Sequence, residues 1–143
     1  MKKLLLAALL VLGFVGFVQQ TPLQAPALTA QSEADAVLAE AFSARRSDLQ
    51  VQGGGRVLKV LPDDLDGSRH QRFILELGSG QTLLVAHNID LAPRIDGLRP
   101  GDWVEFYGEY EWNAKGGVLH WTHHDPRGRH PGGWLRHNGR TYQ

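Results

Sequence analysis

Three consecutive glycines, Gly53-Gly54-Gly55, interrupt a run of strand-forming residues from Leu49 to Leu61 that includes Val51, Val57, Leu58, Val60 and Leu61. Glycine inside a strand has no side chain to pack. It marks a bulge or a sharp bend of the kind that helps a sheet coil. A sheet that bends there can coil onto itself, so the triplet favours a small closed sheet over a flat one.

The chain that follows has the punctuation of such a sheet. Pro62 to Ser68 reads as a loop, Gln71 to Leu77 as a strand, Gly78-Ser79-Gly80 as a tight turn and Gln81 to His87 as its partner strand. Asn88 to Pro100 is a connector. Asp102 to Trp112 is a long strand containing Gly108, Asn113 to Gly117 turns the chain, and Val118 to His123 is a fifth strand. Five strands and two hairpins fit a mostly β fold, a small five-stranded OB-like Greek-key barrel. The connector has room for only a turn or two of the helix that OB folds often carry there. A half-open barrel or a small β-sandwich is therefore the alternative.

Two attachments flank the barrel. Ser32 can cap a short amphipathic helix, with Glu33 and Asp35 in its first turn and Ala34, Val37, Leu38, Ala41 and Phe42 at helical spacing. Asn138-Gly139 signals a two-residue hairpin turn in the tail, where Trp134, Leu135 and Tyr142 can dock on the barrel. The resulting organisation is a leader over 1–30, the helix over 31–47 and the β domain with its C-terminal hairpin over 48–143.

The leader reading rests on Lys2 and Lys3, the uncharged apolar run Leu4 to Val18, and small residues at Ala25-Pro26-Ala27 and Leu28-Thr29-Ala30. That is the three-part pattern of a secretory signal, and it predicts a periplasmic or secreted protein. An uncleaved N-terminal anchor is the alternative and would be the chain's contact with a membrane. The absence of cysteine excludes disulfides and thiolate metal sites. Loss of Lys2 and Lys3 would change the balance from 15 basic and 15 acidic residues to 13 and 15, a net −2 with histidine neutral. A nucleic-acid partner, which needs a cationic face, is disfavoured.

Five of the seven histidines fall at or after His120, in His120-Trp121-Thr122-His123-His124-Asp125 and at His130 and His137. Imidazole is the commonest metal ligand and the usual acid–base group near neutral pH. His120, His123 and His124 are therefore candidate ligands for a divalent metal such as zinc. Strand alternation puts His120 and His124 on one face and His123 on the other, so all three converge only if the strand bends. If Leu119 and Trp121 point inward with Tyr110 and Trp112, then His120 lies outside beside Glu111, and Thr122 beside Glu109. That face can hold zinc, or it can be cross-strand hydrogen bonds and weak ion pairs.

The other hairpin brings His70 toward His87, flanked by Arg69, Arg72 and Asn88. These five residues form a polar, partly cationic mouth. It can bind an anion or supply a general base, or it is a hairpin end held by its own side chains. Asp63, Asp64 and Asp66 before Gly67 lack the glycine and glutamate spacing of an EF-hand and read as an acidic turn. On the long strand, Phe106, Tyr110 and Trp112 share one face and Trp103 and Tyr107 the other. The exposed set, lying among Glu105, Glu109 and Glu111, is too acidic for a polyanion and suits a sugar, peptide or protein. No Ser-His-Asp order, nucleophile elbow or phosphate loop is present.

Several blocks carry a family resemblance: Ser68-Arg69-His70-Gln71-Arg72-Phe73, Ala86-His87-Asn88-Ile89-Asp90-Leu91-Ala92-Pro93-Arg94, Gly108-Glu109-Tyr110-Glu111-Trp112-Asn113, His120-Trp121-Thr122-His123 and Gly133-Trp134-Leu135. From Leu49 to the end the chain resembles an uncharacterised family of small exported bacterial proteins, domain of unknown function 3465. The resemblance implies a small, exported, mostly β domain and transfers no catalytic residue.

Three functions follow as expectations. The first is an OB-like binding module for a small anionic or carbohydrate-like ligand or a protein. The second is a metal-dependent hydrolase of phosphodiesterase or nuclease type that uses the histidine cluster, with Glu109 or Asp125 as base. The third is a structural role for the histidines, tying the tail to the barrel. The hydrolase needs His120, His123 or His124 to meet His70, His87 or a carboxylate at one concave point.

Overall fold

The computed structural model describes residues 25–143, with side chains from residue 28. The basic and apolar parts of the leader lie outside the described residues. Helix α1 spans Ala25–Ser43 and is followed by β1 (Leu49–Val60), β2 (His70–Glu76), β3 (Thr82–Asn88), β4 (Trp103–Glu111), β5 (Val118–His120), β6 (Trp134–His137) and β7 (Arg140–Tyr142). Among the described residues, no helix is long and apolar enough to cross a membrane.

The strands form one sheet in the order β1-β2-β3-β5-β4-β6-β7, and an added β1–β4 pairing closes the first five into a barrel. The closure depends on β1 serving two neighbours. Leu49 to Arg56 pair with β4, and Arg56 to Val60 pair with β2. The parallel β3–β5 contact completes the ring, as the OB expectation requires.

The glycine triplet has a different role from the bulge anticipated for it. The register shift falls between Val57 and Lys59, just beyond the glycines. The glycines instead admit close neighbours. A Cβ on Gly53 would press on the Phe106 ring and Ala34 of α1, one on Gly54 on the Trp103 ring, and one on Gly55 on the Glu76 carbonyl. The triplet lets a helix, an indole and a strand backbone approach β1 where it changes partners.

Strand alternation fills the interior. Phe73, Leu75, Leu83, Val85, Val104, Phe106, Tyr110 and Leu119 are fully enclosed. Leu38 and Ala41 of α1 join the same core. Helix α1 is fastened by Trp112, whose indole N–H donates to the Phe42 carbonyl at 3.0 Å and whose ring stacks on Phe42. The helix already runs from Ala25, so Ser32 lies inside it and bonds back to the Thr29 carbonyl.

The connector between β3 and β4 has turns and no helix. It still plugs the opposite end of the barrel, with Ile95 enclosed and Ala92 and Leu98 buried. Two buried polar side chains hold it. The Gln71 amide donates to the Ile95 carbonyl and accepts from the Ile95 N–H, both at 2.8 Å. His87 bonds the Pro93 carbonyl. The tail hairpin forms as expected, with Asn138 and Gly139 at φ 49° and 76° in the left-handed geometry of a tight hairpin turn. It continues the sheet along β4 where β5 stops, and buries Leu135 and Tyr142.

Candidate functional site

Strand β5 is shorter than its sequence suggests, and the shortening builds the site. Trp121 adopts φ 55°, a left-handed conformation uncommon for a non-glycine residue, and β5 ends at His120. Alternation is lost at that point. Thr122, expected outside beside His120, is turned into the interior and fully buried.

Up to His120 the inside–outside alternation holds as expected, but the register is shifted by two residues from the anticipated His120–Glu111 pairing. Glu109 faces His120 and Glu111 faces Val118. On the outer face, His120 Nε2 lies 3.5 Å from Glu109 Oε1 and 3.4 Å from Glu111 Oε1. Donor atoms of these three residues all lie within 4.8 Å of one another. His120 Nε2 is itself buried and makes no hydrogen bond. The spacing is long for a hydrogen bond. It matches two ligands of one tetrahedral ion, which at zinc-ligand distances sit about 3.4 Å apart.

The loop from Trp121 to Gly133 returns a second imidazole to the same place. Asp125 accepts backbone N–H bonds from Arg127, Arg129 and His130, at 2.9, 2.8 and 2.9 Å. The bonds from Arg127 and Arg129, then that from His130, hold its carboxyl down at about 2. The loop closes through the Gly133 N–H on the His123 carbonyl at 2.9 Å. A Cβ at Gly133 would collide with the Trp121 and Tyr107 carbonyls, so this closure needs glycine. So folded, the loop stacks His130 on Trp121, with centroids 3.9 Å apart and planes 11° apart.

His130 Nε2 then donates to Glu109 Oε2 at 2.5 Å, while its Nδ1 bonds the Pro131 carbonyl. Burial opposes the charged ring. The bond to Glu109, the bond to Pro131 and the charges of Glu109 and Asp125 outweigh it and raise the His130 pKa. Glu109 is thus gripped at one oxygen and faces His120 with the other.

The three histidines named from sequence separate. His120 stands in the donor group. His123 is buried, with Nδ1 on the His124 carbonyl and its ring 5.4 Å from Trp121. His124 is exposed. His130 was missed as a member. Its signal is the turn-forming Asp125-Pro126-Arg127-Gly128 that reverses the chain ahead of it.

The mouth residues are placed one by one. Arg69 donates through its backbone N and Nε to Asp90, at 2.9 and 2.6 Å, and these bonds lower the Asp90 pKa. Arg72 donates to the Pro62 carbonyl, His70 Nδ1 bonds the Ser68 carbonyl, and Asn88 accepts from the Asp90 N–H. In register, His70 faces Asn88 and Gln71 faces His87, so the two imidazoles lie on opposite faces of the hairpin. His87 points into the barrel, where Nε2–H donates to the Pro93 carbonyl at 3.0 Å and Nδ1 accepts from the Thr122 hydroxyl at 2.8 Å. Burial pushes its pKa down to about 4, so the ring is neutral at physiological pH. Asp63, in the acidic turn, pairs with Arg94 at 2.8 Å.

No curated protein matches the chain. Residues 22–143 match a family described as "Protein of unknown function (DUF3465)". With the barrel, the Glu109–His120 ladder and the tail hairpin all inside the matched span, the chain belongs to the DUF3465 family.

Proposed function

We propose that this protein is an exported OB-type binding module that holds a divalent ion, zinc or manganese, on Glu109, Glu111 and His120, and presents it to a small anionic ligand. The carrying observation is the buried His120 Nε2, which bonds nothing yet lies 3.4 and 3.5 Å from two carboxylate oxygens. A buried ring nitrogen left unmatched costs about 1–3 kcal/mol. Two carboxylates and an imidazole form a hard-to-borderline donor set suited to zinc or manganese. His130, holding the second oxygen of Glu109, orients that carboxylate as outer partners of metal ligands do. An ion with three protein ligands keeps a position for an external anion. Export is supported by the basic, apolar and small-residue order of the N-terminal segment.

The hydrolase alternative draws less support. Hydrolysis needs a concave site with a free base beside the activated water. His123 is buried and His87 is committed to Thr122 and Pro93.

The test is metal content by mass spectrometry on purified untagged protein, before and after a chelator. Near-stoichiometric zinc or manganese that disappears in His120→Ala and in Glu109→Gln is the expected result. Metal-free protein whose melting temperature ignores added zinc and manganese would overturn the reading, because a ligand of the native state must raise it.

A further inference from the structure

The outer face of β4 carries Trp103, Glu105, Tyr107, Glu109 and Glu111 in a row, with successive side chains roughly 7 Å apart. Across the ladder, Trp134 faces Tyr107 and His120 faces Glu109. One step along the row from the metal-ligand group, the chain therefore presents a pair of aromatic rings, with Tyr107 and Trp134 centroids 6.3 Å apart. A cleft of about 390 Å³ opens there, lined by Tyr107, Trp134, His124, Gly132, Gly133 and Gln143. The volume is in the range of small-ligand pockets, roughly 300–1,000 Å³. The His124 side chain is exposed at the edge of the cleft.

Resting on the metal reading above, we propose that the ligand is an anionic sugar. Its ring packs on Tyr107 and Trp134, and its carboxylate or phosphate reaches the ion at Glu109, Glu111 and His120. Aromatic side chains offer an apolar face with a polar edge, which matches the C–H face and hydroxyl rim of a pyranose. Arg136 steadies the indole, lying 4.8 Å over the Trp134 ring while pairing with Glu105. A row with three glutamates repels a polyanion, whereas one anionic group beside a bound cation is accepted. The placement makes the cleft select the ring and the ion select the charge.

The experiment uses the purified full chain, with metal content measured first and calorimetric titrations of D-glucuronate, D-glucose, acetate and a glutamate-containing tripeptide afterwards. With zinc or manganese bound, glucuronate is expected to bind about tenfold or more tighter than both glucose and acetate, the worth of one aromatic contact or one ionic contact. Trp134→Leu and, separately, Tyr107→Leu should each erase the advantage over acetate and leave metal stoichiometry at one. Two variants are used so that poor folding of one does not decide the matter. Metal retained with glucuronate no tighter than acetate overturns the sugar and leaves the metal site standing. Tighter binding of the tripeptide than of glucuronate overturns it in favour of an acidic peptide. A chain that takes up no metal overturns both readings together.

Discussion

His87 on β3 and His120 on β5 occupy neighbouring strands and meet opposite fates. His87 is fully enclosed, and both ring nitrogens are matched, one by the Thr122 hydroxyl and one by the Pro93 carbonyl. His120 lies on the outer face, with an Nε2 that is buried, unbonded and aimed between two carboxylates. The first arrangement is complete without anything added, and its worth is structural: it ties the connector and the end of β5 to β3. The second is incomplete in a specific way that a cation would cure. Burial alone does not separate a structural histidine from a functional one. The test is whether each buried ring atom already has its partner.

The largest expected effect follows from breaking the completed site. His87→Ala removes a buried ring and strands Thr122 and Pro93, and should lower stability by about 3 kcal/mol in urea unfolding with little change in metal affinity. A loss under about 1 kcal/mol would erase the contrast between the two histidines.

Acidification attacks the same site in the native chain. The folded His87 pKa of about 4 lies below the ordinary 6.5, so the unfolded state binds the proton first. The His87 contribution is fully present above pH 6.5 and is lost as pH falls through about 4, amounting to up to about 3 kcal/mol. Asp125 adds a second, lower window. Its carboxyl is held at about 2, so its contribution is present above about 3.8 and goes as pH falls toward 2. Urea midpoints measured from pH 7 to 3 should fall steeply in the native chain and more gently in His87→Ala.

Glu109→Gln probes the incomplete site. It should weaken zinc or manganese binding about a hundredfold, near 2.7 kcal/mol, while the apo protein loses about 1 kcal/mol with the charge-assisted bond to His130. Competition titration against a coloured chelator gives the first number and a thermal melt the second. An unaltered affinity would remove Glu109 from the ligand set.

His130→Phe is the mildest and most specific change. The ring can keep its place on Trp121 while the bond to Glu109 is deleted. Metal affinity should fall about tenfold, the usual effect of losing a group that orients a ligand. A drop as large as that of Glu109→Gln would make His130 a ligand in its own right.

Much of the fold was legible because turn chemistry is local. Gly78-Ser79-Gly80, Asn113 to Gly117 and Asn138-Gly139 each form the reversal that their residue types demand. The strands between them differ from expectation by a residue or so at most ends. That His120 shares the outer face with Glu109 and Glu111 was also readable from inside–outside alternation, although its direct partner is Glu109 and not the Glu111 anticipated. What escaped was non-local. The end of β5 depends on the left-handed turn at Trp121, and nothing in the pattern Val118 to His123 announces it. The inward swing of Thr122 follows from that one dihedral angle. The return of His130 depends on Asp125 gathering three backbone N–H groups, visible in sequence only as a turn.

By itself the sequence determined the class of the fold, its strand count, its hairpins and the residue types available on the outer face of β4. Those properties come from residue spacing and from backbone preferences of glycine, proline and asparagine, which act over a few residues. Only the tertiary structure decided which imidazoles are finished and which are not. That depends on which distant groups reach each ring nitrogen: Pro93 and Thr122 for His87, Glu109 for His130, and for His120 two carboxylate oxygens, neither within a proper hydrogen bond. Hydrogen-bond completion is a property of groups brought together across the barrel, and no local pattern encodes it.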